Sequence, residues 1–296
     1  MTGTRHWYRG FGLTIDSTFA IPGAMPVAPG TGGSGRTVRP DIVIGAGCTA
    51  IGPVEAVSGP YSRSGDALLL DVPGVARYLA PSAARLIIEP GADADPEDVS
   101  ALLVATALPM LLWMRGGFVL HAAGVVVPGA CAAVALVGPS GVGKSTLAHR
   151  LVEGGASFVG DDSLLVSAGS GPPQVNGLAA CCFLAAPGGA QREARCIPEP
   201  MQAETAPLGA VIVLARSAPR TCRAPARLTG PAALEVLLQN RHRPRVPDIM
   251  GRSAALLPIS ALLSRDVPIY RLEIPENDAG EAHARLLSLV ATFGPE

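Results

Sequence analysis

The residues from Gly138 to Thr146, GPSGVGKST, have the types and spacing needed to hold a triphosphate. They fit G-x-x-x-x-G-K-[ST] throughout: Gly138, then Pro139, Ser140, Gly141 and Val142, then Gly143, Lys144 and Ser145, with Thr146 following. Glycine backbone turns successive N–H groups onto phosphate oxygens, the lysine reaches the β- and γ-phosphates, and the serine hydroxyl joins a Mg²⁺ shell. An apolar run at 132–137 (AAVALV) reads as the strand entering this loop. STLAHRLVEGG reads as the helix leaving it, ended by Gly154 and Gly155. Phosphates would then lie at a helix N-terminus, where N–H groups without intrahelical partners and the dipole favour anions. A glycine-rich turn with a chance lysine does not account for strand, loop and helix in that order. A nucleoside triphosphate, taken as ATP with the base preference left open, and Mg²⁺ are the expected cofactors.

Asp161 and Asp162 follow Lys144 closely, in the apolar run ASFVGDDSLLV. Neighbouring strand residues face opposite ways, so one carboxylate would face a metal and the other an incoming acceptor. A hydroxyl acceptor needs a base, and the metal needs acidic or water-bridging support. The plainer reading is a single metal aspartate beside a solvated turn residue. His121, alone on an apolar strand, is by composition a core residue first. Arg241, His242, Arg243 and Arg245 form the densest basic cluster, suited to capping the preceding helix or to docking an acidic peptide or triphosphate. Arg192 and Arg195 are a second basic pair, candidates for transition-state charge. Cys181 and Cys182 read as packing residues.

These groups must be positioned by a chain of 296 residues, long enough for one large domain or two. Composition is globular, with 48% hydrophobic and 16% charged residues, and a net charge of −1 gives no electrostatic reason to bind nucleic acid or an anionic membrane. Six cysteines without C-x-x-C or metal spacing are expected to be reduced and mostly buried. The N-terminus lacks an apolar signal core, and the longest apolar run, 101–114, contains Pro109 and is too short for a bilayer. A cytoplasmic protein that touches no membrane is expected, with a homo-oligomer left open.

Residues 1–98 carry short alternating runs separated by Gly, Pro and Ser, so a β-rich region serving as scaffold or for substrate docking is expected. Within it, 26–36 (PVAPGTGGSGR) reads as a linker, since no strand or helix frames its glycines. A boundary falls at 90–96, and residues 99–296 form the second domain. Its opening helix runs from Pro96 to about Trp113, and two strands joined by Pro128-Gly129 give the loop strand an antiparallel neighbour. Residues 167–209 read as loop-rich.

The run FVLHAAGVVV…AVALVGPSGVGKSTLAHRLVEGGASFVGDDSLLV, within residues 115–166, resembles the catalytic core of HPr kinase/phosphorylases and their kinase-like relatives. His121 corresponds to that family's strand histidine, Gly138, Gly141, Gly143, Lys144 and Ser145 to its phosphate loop, and Asp161 and Asp162 to its aspartate pair. The resemblance implies an α/β fold shared with phosphoenolpyruvate carboxykinases, a P-loop core with a mixed sheet. It implies Asp161 as base, His121 contacting a phosphate or hydrogen-bonded to Asp161, and Asp162 with Ser145 at the metal. Flanking segments (YRGFGLTIDSTFAIPG, PLGAVIVLAR, LTGPAALEVLLQN, VPIYRLEI) are similar to the shorter HPr-kinase-like proteins of lasso-peptide biosynthesis, which implies a serine or threonine of a precursor peptide as acceptor. Thr146 stands where HPr kinases carry glutamate, and 174–184 lacks their second signature, so a third metal ligand is unassigned. A small-molecule kinase on the same core and a nucleotide-binding regulator are the alternatives.

Overall fold

The computed structural model describes residues 4–29, 39–169, 171–185, 192–217, 222–275 and 278–293. The chain is mixed α/β and divides into two compact units, residues 1–119 with 242–257, and residues 120–241 with 258–296. The sequence boundary at 98/99 falls inside the first turns of the long apolar helix, all of which belongs to the first unit. Gly32 and Gly33 of the expected linker lie outside the described residues.

The first unit is built on nine strands: β1 (His6–Gly10), β2 (Leu13–Ser17), β3 (Met25–Val27), β4 (Ile42–Ala46), β5 (Ala56–Ser58), β6 (Tyr61–Ser64), β7 (Ala67–Val72), β8 (Ala76–Ser82) and β9 (Arg85–Pro90). They form one sheet in the order β3-β1-β2-β4-β9-β8-β7-β6-β5. β4 runs parallel to β2 and β9, and the hairpins on either side are antiparallel. Alternation puts Ile15, Ile42, Ile44, Leu68, Leu70, Leu86 and Ile88 into the core.

The apolar helix follows as α1 (Pro96–Leu102), a π-turn at Leu103–Ala107 and α2 (Leu108–Met114). Asp95 caps it by accepting from the Glu97 N–H, with Pro96 in the first turn. By length and composition this 19-residue helix would span a membrane, but 67% of its most apolar window is buried within the protein. Pro109 lacks the N–H that would bond the Ala105 carbonyl. That carbonyl instead accepts from His242 Nε2 at 3.0 Å and Arg243 Nε at 2.9 Å, and Trp113 Nε1 donates to the His242 carbonyl at 2.7 Å. The helix irregularity and half of the basic cluster are thus one structural arrangement.

The unit division falls within β10 (Phe118–Leu120). The second unit then continues with β11 (Ala122–Val126), β12 (Ala133–Val137), α3 (Lys144–Glu153), β13 (Ser157–Gly160), β14 (Leu164–Ser167) and β15 (Gln174–Asn176). Next come β16 (Cys181–Ala185), β17 (Arg192–Cys196), β18 (Thr205–Ser217), β19 (Ala226–Leu228) and α4 (Gly230–Gln239). After α5 (Arg245–Ile249) of the first unit come α6 (Leu256–Asp266), β20 (Ile269–Pro275) and α7 (Ala279–Val290). The sheet path β14-β15-β18-β12-β11-β13 is mixed, with β20 beside β18 and β19 beside β20. β12 has the expected antiparallel neighbour β11, joined to it around Pro128-Gly129, and a parallel neighbour, β18, on its other side. Val134, Leu136, Ile212, Leu214, Leu147, Leu151 and Leu286 close the core between sheet and helices.

Within the loop-rich residues 167–209 lies a separate hairpin, β16–β17. One expectation is corrected. The cysteines are not mostly buried: Cys48, Cys131 and Cys196 are exposed, and only Cys182 is fully covered. Alternation within the hairpin explains Cys182, whose side chain faces inward while Cys181 faces the other way.

Candidate active site

The loop at 138–146 joins the C-terminal end of β12 to α3, as the sequence anticipates. Gly138, Gly141 and Gly143 take φ of 137°, 77° and 109°, conformations that side-chain-bearing residues rarely adopt. At Gly138 a Cβ would also stand 2.7 Å from the Leu214 carbonyl oxygen on the adjoining β18. Only glycine lets the loop leave the sheet this close to its parallel neighbour.

Lys144 is buried and folds back over the loop, its Nζ donating to the carbonyls of Gly138 at 2.9 Å and Pro139 at 3.2 Å. Ser145, in the first turn of α3, donates its hydroxyl to Asp161 Oδ1 at 2.8 Å. Pro139, Ser140, Gly141 and Thr146 are exposed, Gly143 and Ser145 half-buried, and Val142 packs into the core below.

β13 ends at Gly160, so Asp161 and Asp162 occupy a bend before β14 and not a continuous strand. Gly160 permits the bend to pass the backbone of Gly177 and Leu178, which a Cβ there would strike at 2.9–3.0 Å. The two carboxylates separate because Asp162 takes a left-handed φ of 68°, which Asp tolerates better than most residues. Asp161 faces Ser145 and accepts from the Phe183 N–H at 3.3 Å and from the Asp162 N–H at 2.9 Å. Its partial burial, with the Asp162 charge adding to it, raises its pKa against the pull of the Ser145 hydroxyl and these N–H groups.

His121 lies between β10 and β11. Its Nδ1 is 3.0 Å from the Asp162 carbonyl oxygen and 3.4 Å from Asp162 Oδ1. Since a carbonyl only accepts, Nδ1 carries the hydrogen and the neutral ring leaves Nε2 as acceptor. Burial first, and then the Lys144 charge, lower the His121 pKa; Asp162 and, less, Asp161 oppose them. The expected contact of His121 with Asp161 is therefore corrected: its neighbour is Asp162, because the bend turns Asp161 toward α3.

The arginines separate. Arg241 Nε donates to the Leu238 carbonyl at the end of α4, the capping role. Arg243 falls in the first unit, on the Ala105 carbonyl, where the missing proline N–H leaves an acceptor. Arg195 pairs with Glu193 at 2.6 Å on β17. Arg192 opens β17, and its side chain lies outside the described residues.

Two residues that no motif marks do meet the loop. Arg216, near the end of β18, donates to the Gly141 carbonyl at 2.8 Å. Asn240, just past α4, accepts the Gly138 N–H on Oδ1 at 3.0 Å, donates Nδ2 to Val236 O at 2.8 Å, and accepts the His121 N–H on its own carbonyl at 2.8 Å. One asparagine thus ties the loop and the His121 backbone to the same helix end.

No family model matches the sequence, and no curated protein does. Among solved structures the chain is similar to the HPr(Ser) kinase/phosphatase from Coxiella burnetii, at 14% identity with a TM-score of 0.38, over 59% of this chain and 94% of that one.

Proposed function

We propose that this protein is an ATP- and Mg²⁺-dependent kinase that phosphorylates a serine or threonine hydroxyl of a peptide. The observation that carries the reading is the meeting of Lys144, Ser145 and Asp161 at the head of α3, with Asp162 and His121 on the other side of the bend. The loop N–H groups and Lys144 would hold the triphosphate, with Lys144 exchanging its two carbonyl partners for phosphate oxygens. The Ser145 hydroxyl and the Asp161 carboxylate fit Mg²⁺: both are hard oxygen donors, they already touch, and a carboxylate whose ionised form is disfavoured by burial gains from a nearby cation. Mg²⁺ held there would supply positive charge against that developing on the transferred phosphoryl group.

Asp162 is the base in this account. As the acceptor oxygen bonds to the γ-phosphorus, the bond from that phosphorus to the β–γ bridging oxygen breaks, and the hydroxyl proton passes to the Asp162 carboxylate. His121 holds Asp162 through Nδ1, and its lowered pKa keeps the ring neutral so that it does not tie up the carboxylate as a salt bridge. This exchanges the two aspartate roles that the family resemblance implied, for the geometric reason that Ser145 reaches Asp161. The likeness of the flanks to kinases of lasso-peptide biosynthesis supports a precursor peptide as acceptor.

The test is calorimetry of Mg·ATP with wild type and Lys144→Ala, and incubation with γ-labelled ATP and serine- and threonine-containing peptides read by mass spectrometry. The account expects nucleotide binding nearly abolished in a folded Lys144→Ala protein, and label on a peptide hydroxyl with wild type. Wild-type affinity in Lys144→Ala would remove the nucleotide assignment.

A further inference from the structure

The hairpin that gives the Phe183 N–H to Asp161 also carries two facing thiols. β16 and β17 are antiparallel, with Cys181 directly opposite Cys196. The Ile197 N–H donates to the Ala180 carbonyl at 2.9 Å, so Ala180 and Ile197 form a hydrogen-bonded pair. Because such pairs alternate along an antiparallel ladder, Cys181 and Cys196, the next pair in, exchange no backbone hydrogen bonds. Phe183 bears this out from the other side. It has the same parity as Cys181, so its N–H points away from β17, and that N–H is found on Asp161 at 3.3 Å.

At a pair of this kind the Cα atoms stand about 4.5 Å apart and the side chains are at their closest, within the span of about 4.4–6.8 Å that a disulfide bridges. Both residues are thiols; Cys196 is exposed and Cys181 partly so, which gives an oxidant access. Cys182 does not compete. It lies on the opposite face, fully buried, with Sγ 3.6 Å from the Ser145 carbonyl and 3.7 Å from Asp161 Oδ2.

We propose that Cys181 and Cys196 are a redox modification site, forming a reversible cross-strand disulfide at the base of this hairpin. The oxidant is a hydroperoxide. One thiolate attacks the peroxide oxygen, giving a sulfenic acid as the O–O bond breaks. The second thiolate then attacks that sulfur, and the S–S bond forms as hydroxide leaves and takes up a proton. With hydrogen peroxide, two thiols and one peroxide give one disulfide and two waters. A dithiol reductant restores the pair by exchange through a mixed disulfide. The bond would fix the ends of the segment whose Phe183 N–H and Cys182 thiol rest on Asp161. The proposal does not depend on the kinase reading.

The experiment treats the full chain with limiting hydrogen peroxide, blocks remaining thiols by alkylation, and reads intact mass and tryptic peptides. Arg192 and Arg195 lie between the two cysteines, so the linked peptides are separable from unlinked ones. The expected result is loss of two of the six thiols, a cross-link between the peptides bearing Cys181 and Cys196, and full reversal by dithiothreitol. Cys181→Ser and Cys196→Ser should each abolish the cross-link, whereas Cys182→Ser should keep it. The proposal is overturned if Cys181 and Cys196 stay alkylatable under conditions that oxidise Cys48 and Cys131. It is equally overturned if they end as separate sulfinic acids, or if Cys181→Ser still forms the cross-link.

Discussion

Ser145 Oγ donates to Asp161 Oδ1 at 2.8 Å, joining the first turn of α3 to the bend after β13. The bond shows which of two adjacent carboxylates meets the head of α3. If the pair holds Mg²⁺, Ser145→Ala removes one oxygen donor while Asp161 keeps its two N–H partners. Mg·ATP affinity should fall roughly 10–100-fold, the range for losing a contact at a metal site. Affinity for ATP measured in chelator should barely change. Calorimetry with and without Mg²⁺ separates the two, and equal losses in both would place Ser145 outside the metal site.

Asp161 also makes a prediction about stability. Its folded pKa is raised, chiefly by burial, so the folded state holds its proton more tightly than the unfolded chain. Stability from this group is therefore full below the unfolded value, about 3.9, and is lost as pH rises through the raised folded value. Above that window, without metal, the ionised carboxylate of Asp161 costs stability. Asp161→Asn should raise the thermal midpoint of the metal-free protein, by about 2–4 °C for each kcal/mol recovered. It should also flatten the pH dependence of stability over that window. Scanning calorimetry in chelator checks this, and a lower midpoint for the variant counts against the shift.

Asn240 carries the third prediction. Its side chain accepts the Gly138 N–H, so Asn240→Ala leaves that group without its partner and loosens the start of the loop. A typical hydrogen bond contributes about 0.5–1.5 kcal/mol net, which corresponds to roughly 2- to 12-fold in affinity. Asn240→Ala should weaken Mg·ATP by that factor, and Asn240→Asp, which keeps the acceptor, should recover most of it. If both variants bind as wild type, the loop does not need this support.

The contrast between the glycine-rich loop at 138–146 and Asn240 shows what was legible in the sequence. The loop's work is local: glycine, lysine and serine act through their own backbone and the strand and helix beside them, so its register and setting could be read directly. The antiparallel partner of β12 was legible for the same reason, since only a tight turn separates the two strands. Asn240 and Arg216 reach the loop from more than seventy residues away, through sheet order and a helix end that no motif records. The aspartate pair was found but its orientation was not. Strand alternation was the wrong local rule there, because Gly160 ends the strand and Asp162 turns left-handed. The basic cluster was legible in part: Arg241 caps the preceding helix, one of the two readings of the cluster, while its histidine and one arginine serve a carbonyl exposed by Pro109, a demand visible only once α2 is placed.

If a phosphoryl group moves from ATP to a peptide hydroxyl with Asp162 as base, single-turnover transfer by Asp162→Asn must be slow. The substitution keeps size and hydrogen bonding and removes the proton acceptor. With γ-labelled ATP and a peptide that wild type phosphorylates, followed by mass spectrometry, the account predicts transfer slowed by roughly 10²–10⁴-fold, with Mg·ATP affinity nearly unchanged. Transfer by Asp162→Asn at the wild-type rate would contradict it.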